Sequence, residues 1–157
     1  MSYSLAYTFG RTICINRRRP MQRTIVRSRI MLSRPARLAT ADDLNVAQDL
    51  LDTLVAHEAT CAGMAANMIG QNKAIIAFFD DRKQPQVMLN PQITRQQGPY
   101  QTEEGCLSLE GKRPTTRYRR ITVTWQDTSL REHTASYQGF VAEVIQHECD
   151  HLAGIVI

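Results

Sequence analysis

Leu44, Ala47, Leu50, Leu51, Leu54 and Val55 recur at the spacing of one helical face. Thr40-Ala41-Asp42-Asp43 precedes them and resembles a capping box with Asp in the Glu/Gln position, so a helix is expected from there to about His57. Gly63-Met64-Ala65-Ala66-Asn67-Met68-Ile69-Gly70 reads as a loop of small residues. Ala74–Phe79 is a short apolar run and predicts a buried strand; Gln86–Leu89 predicts a second, ended by Asn90-Pro91. Ile121, Val123 and Trp125 alternate with polar residues through Asp127, and Glu132–Tyr137 is expected to pair with them across Thr128-Ser129. Val141, Val144, Ile145 and Leu152 give a last helix, from about Phe140 to Leu152, with Gly154 as its stop. Helix, strands, then helix implies an α+β fold: antiparallel sheets packed around the C-terminal helix, plus an N-terminal helix.

A length of 157 residues fits one domain with a substantial core. No run approaches the roughly 18 apolar residues of a membrane span, and no membrane partner is expected. Charge divides the chain more sharply than its +4 total suggests. Residues 1–37 hold nine of the 19 Lys/Arg and none of the 15 Asp/Glu, leaving ten basic against fifteen acidic residues in 38–157. The expected organisation is a basic N-terminal extension, 1–37, ahead of one mildly acidic domain, 38–157. Residues 1–20 have an Arg-rich, acid-free composition that would also suit an organelle transit peptide. A start assigned ahead of Met21 or Met31 accounts for the same facts and is preferred. No aromatic residue interleaves with the Arg-rich stretch after Phe9, so no specific nucleic-acid partner is expected. The four Cys (14, 61, 106 and 149) are irregularly spaced and no secretory signal is evident, so a reducing, cytoplasmic setting is expected.

His147-Glu148-Cys149-Asp150-His151 carries the chemistry. On a helix, H-E-x-x-H sets two imidazoles one turn apart on one face, where both can bind one metal ion. The carboxylate beside the first can act as general base. Downstream ligands fail by counting: Gly154 fits a longer protease pattern, but Ile157 stands where its third His would be, and nothing acidic follows Asp150. A small zinc peptidase is therefore disfavoured. Upstream candidates are Cys14, Cys61, Cys106, His57 and His133. Cys106 is preferred, because Glu103-Glu104-Gly105-Cys106-Leu107-Ser108 lies between strand-like segments with a glycine to allow a sharp turn. One thiolate with two imidazoles leaves a fourth position open and suits Fe(II), Zn, Ni or Co better than Mg or Ca. Cys149 points off the His face and reads as packing; Asp150 reads as orienting its neighbours. Gln146 is open to a solvent-facing reading. His57 reads as a helix-end residue and His133 as exposed.

Glu104-Gly105-Cys106-Leu107-Ser108 and Gln146-His147-Glu148-Cys149-Asp150-His151 resemble the E-G-C-L-S and Q-H-E-x-D-H motifs of peptide deformylases. A third family motif, G-x-G-L-A-A-x-Q, aligns with Cys61-Ala62-Gly63-Met64-Ala65-Ala66-Asn67-Met68, and the resemblance covers roughly residues 38–157. It implies one divalent metal ion, Fe2+ in the cell with Zn2+, Ni2+ or Co2+ able to substitute, held by Cys106, His147 and His151. It implies hydrolytic removal of the N-formyl group from formylmethionine, with formyl-Met peptides, nascent chains and the ribosome as partners. Glu148 would shuttle the proton and the Leu107 N–H would meet the oxyanion. Gly63 would pair with the substrate backbone, and Arg113 would lie near the peptide. Met68 stands where the family has a Gln that also serves the oxyanion. A thioether donates no hydrogen bond, and losing one such donor typically costs about 100- to 1,000-fold in turnover. Reduced activity is therefore expected, and a silent homologue that still binds metal and formyl peptides is the alternative.

Overall fold

The computed structural model describes residues 19–157. The expectations for the first residues, and for Cys14, lie outside it. The elements in order are α1 (Arg29–Leu32), α2 (Leu44–Ala56), β1 (Gly63–Ala65), β2 (Ile75–Phe79), β3 (Pro85–Cys106), β4 (Leu109–Gln126), β5 (Glu132–Gln138) and α3 (Gly139–Leu152). Short 3-10 turns at Ala41–Asp43 and Ala66–Ile69 lead into α2 and out of β1. Among the described residues no helix is long and apolar enough to cross a membrane.

The capping box forms as expected. The Thr40 N–H donates to Asp43 Oδ2 at 2.8 Å, and the Thr40 hydroxyl accepts from the Asp42 N–H at 3.3 Å. The five strands make one antiparallel sheet in the order β1-β2-β3-β4-β5. Its centre is buried on both sides, which is why β2 reads as an unbroken apolar run. Ile75 and Ala77 face a cluster with Leu50 and Leu54 of α2; Ile76 and Phe78 face one with Val141 and Ile145 of α3. The hairpin turn falls where expected, with Asp127 Oδ1 accepting the N–H groups of Ser129 and Arg131.

Two expectations change. Asn90-Pro91 does not end its strand: Asn90 takes φ 52° at a register shift, and β3 continues to Cys106. The Asn90 side chain braces this irregularity by bonding both the N–H and the C=O of Ala39, at 2.7 and 3.0 Å. Beyond it, β3 and β4 form a long, largely solvent-facing ribbon whose polar residues carry no apolar alternation to read. The segment at Gly63–Gly70 is a buried edge strand followed by a 3-10 turn rather than an open loop.

Residues ahead of α2 also pack on the core. Leu32 is fully buried, the Val26 N–H donates to Met68 O, and the Ala36 N–H donates to Leu152 O. Gly154 ends α3 at φ 77°, where an added Cβ would collide with Ser33 O.

Candidate metal centre

α3 presents His147 and His151 on one face, one turn apart, with Nε2 atoms 3.1 Å from each other. Cys106 reaches them from the tip of the β3–β4 ribbon, its Sγ 3.3 Å from His151 Nε2. The chain reverses directly after it: Cys106 pairs with Leu109, and the Ser108 N–H points back at Sγ at 3.4 Å. All three ligand atoms lie within 4.8 Å of one another. Zinc-type bonds of about 2.0–2.3 Å in a tetrahedron would separate ligand atoms by roughly 3.3–3.6 Å. The His151–His147 and His151–Cys106 spacings match this to within a few tenths of an ångström, and the donor set suits one ion.

A charged relay behind the ligands fixes their orientation. Glu104 Oε2 lies 2.7 Å from His147 Nδ1. Arg117 donates to both Glu104 oxygens at 2.8 and 2.7 Å, and to Asp150 Oδ2 at 2.6 Å. Burial opposes charge on Glu104, but His147 and Arg117 outweigh it and hold the carboxyl at about 2. Burial likewise opposes charge on His147, while Cys106 and Glu104 push its pKa up to about 10. His151 goes the other way, to about 3, because it is buried and faces the charges of His147 and Arg117. A carboxylate on the far nitrogen of a ligand imidazole fixes the ring and raises its basicity toward a metal. Asp150 thus acts on its neighbours, as expected. The Glu104–Arg117 pair was not read from the sequence: Arg117 is one basic residue in a polar strand, with no periodic signal.

Glu148 is buried beside the ligands, and burial raises its carboxyl to about 7 against the opposing pull of His147. Its Oε2 has no hydrogen-bond partner among the described residues. Gly63 crosses in front of it so closely that a Cβ there would sit 3.0 Å from Glu148 Oε1. A cavity of about 310 Å³ opens here, and Gly63, Met68, Cys106, Leu107, His147 and Glu148 all line it. Lys112 rather than Arg113 forms its wall; Arg113 pairs across the ribbon with Glu104, and its Nη1 is buried without a partner among the described residues. Phe140 and Glu143 also line the cavity and carry no signal in the sequence; Cys61, one of the upstream ligand candidates, lines it as well but is outside the cluster of Cys106, His147 and His151. The solvent-facing reading of Gln146 is corrected. Its side chain is buried and bonds both the N–H and the C=O of Tyr118 at 2.9 Å, joining α3 to β4. His57 bonds Thr53 O at the end of α2, and exposed His133 pairs with Asp127; neither joins the centre. Cys149 packs against the cluster that holds Phe78 and Ile145.

A family model described as polypeptide deformylase matches residues 24–157. A peptide deformylase from Clostridium beijerinckii is 44% identical over 138 residues, covering 87% of this chain and 100% of that one. The crystal structure of peptide deformylase from Thermus thermophilus is 33% identical with a TM-score of 0.75, over 87% of this chain and 83% of its own. A Met-Ala-Ser-bound class I type b peptide deformylase from Acinetobacter baumannii is 25% identical with a TM-score of 0.77, over 87% and 97%. Sequence, fold and metal-ligand cluster agree: the chain belongs to the peptide deformylase family of metal-dependent hydrolases.

Proposed function

We propose that this chain removes the N-formyl group from formylmethionine at the start of nascent polypeptides, in the cytoplasm, with Fe2+ as the native ion. The carrying observation is the placement of Glu148, buried in the same cavity as Cys106 and His147 and one residue from a metal ligand. A metal ion held by Cys106, His147 and His151 would polarise the formyl carbonyl and activate water. Glu148, with a carboxyl raised to about 7, is suited to accept a proton and return it to the leaving amine near neutral pH. The Leu107 N–H, beside Cys106 at the ribbon tip, is assigned to the developing oxyanion. Among the described residues β1 is an edge strand paired only with β2, and its Gly63 lines the cavity, so an extended peptide can add to its open side. The Acinetobacter relative with bound Met-Ala-Ser supports a peptide in this groove. Arg113 is proposed to act near the peptide, and the ribosome to present it.

Met68 is buried in the cavity wall where the family motif has a Gln. Its thioether leaves the Leu107 N–H to serve the oxyanion without a side-chain donor, so slow turnover is expected. The test is formate release from a formyl-Met peptide by protein loaded anaerobically with Fe(II) or Ni(II). Met68→Gln is expected to raise the rate by about 100-fold or more. Formate from Met68→Gln alone, with none from fully loaded wild type, would favour the silent homologue.

A further inference from the structure

The two imidazoles are held differently. Glu104 Oε2 lies 2.7 Å from His147 Nδ1, so a side chain fixes that ring. His151 Nδ1 is buried and has no hydrogen-bond partner among the described residues. The placing of its ring therefore depends on the backbone that carries it. That backbone is the last turn of α3, where carbonyls have no partner within the helix. Asn67 supplies one from outside. Its amide nitrogen donates to His151 O at 3.0 Å and to Leu32 O at 3.3 Å, which uses both of its protons. The opposite rotamer would turn Oδ1 toward two carbonyl oxygens, so these acceptors decide which end of the amide is which. Asn67 itself is buried in the 3-10 turn Ala66–Ile69, and the turn is anchored, because the next carbonyl, Met68 O, accepts the Val26 N–H at 2.8 Å. Asn67 Oδ1 is buried without a partner among the described residues. An unpaired buried oxygen is costly, so packing alone would favour an apolar side chain here. The resembled motif leaves this position open, as the x of G-x-G-L-A-A-x-Q.

We infer that Asn67 is a positioning residue for the metal centre. By holding the His151 carbonyl it sets the His151 ring beside His147 and Cys106. This role rests on the reading that those three residues hold one ion, and not on turnover.

The test measures the Zn(II) affinity of the full chain by competition with a chromophoric chelator, together with the visible spectrum of the Co(II) form. Asn67→Leu removes both donors and keeps the bulk; Asn67→Ala removes them and leaves space, should the Leu variant not fold. Either is expected to bind Zn(II) about ten- to a hundredfold more weakly. The Co(II) d–d bands are expected to shift, while the thiolate-to-metal band from Cys106 persists. Leu50→Ala is the control. It opens the core beneath α2, which carries no ligand, and is expected to lower thermal stability without changing Zn(II) affinity. Wild-type affinity in a folded Asn67 variant would overturn the inference. An equal loss of affinity in Leu50→Ala would overturn it too, by making the loss a matter of stability alone. No Zn(II) bound by wild type would overturn the metal reading itself, and this role with it.

Discussion

Gly63 leaves space for a hydrogen and little more. A Cβ at this position would stand 2.5 Å from Val144 Cγ1 and 3.0 Å from Glu148 Oε1. Gly63→Ala is therefore expected to cost about 1–3 kcal/mol through overpacking and to displace the Glu148 carboxylate. Thermal unfolding and formate release read the two effects, and an Ala variant unchanged in both would contradict this contact. Glu104 gives a prediction in pH. Its carboxyl is held at about 2 in the folded protein, below the usual value of roughly 4.3 for an unfolded chain. A depressed carboxylate contributes stability that is complete above the unfolded value and is lost as pH falls through the folded one. Wild type should thus lose stability between about pH 4 and pH 2 relative to Glu104→Gln, by denaturant titration across that range. Parallel acid limbs for the two proteins would contradict the assignment.

At the scale of elements, the β3–β4 ribbon carries Cys106 and Glu104 to α3, and Arg117 is the clasp. It bonds Glu104 on β3 and Asp150 on α3 while buried itself. Removing one partner of a buried ion pair leaves an uncompensated charge, so Arg117→Met should cost about 3–5 kcal/mol. Glu104→Gln added to Arg117→Met should recover part of that loss, which a double-mutant cycle in denaturant measures. The ribbon is also where sequence reading fell short. β2 and α3 were legible because burial on both faces, or on one stripe, writes an apolar pattern. The outer ribbon, from Arg95 to Arg120, is largely exposed and writes none; its register depends on β4 pairing, which no local signal encodes. Asn90-Pro91 misled because a positive-φ Asn at a bulge has the same composition as one in a turn.

For the whole molecule, the cluster of Cys106, His147 and His151 was legible in the sequence because metal chemistry restricts residue type and spacing. The relay behind them was not, because ion pairs between distant strands leave no spacing to count. The extended segment ahead of α2 contributes from Met21 onward. Met21 N bonds Asp52, Arg23 pairs with Asp49, and Leu32 is fully buried. A chain starting at Met21 is expected to keep its fold and stoichiometric metal. One starting at Leu38 loses Leu32 from the core and should be destabilised by about 2–5 kcal/mol. Loss of metal or fold in the Met21 form would contradict this division. Glu148 is proposed to do the proton work of formyl hydrolysis beside an ion held by Cys106, His147 and His151. Formate release from a formyl-Met peptide, compared between nickel-loaded wild type and Glu148→Gln at equal metal content, tests it most directly. Measurable formate is expected from wild type, with a loss of at least about 100-fold in Glu148→Gln, the lower end of what general acid–base catalysis supplies. Equal rates in the two proteins, or no formate from either wild type or Met68→Gln at full metal occupancy, would contradict it.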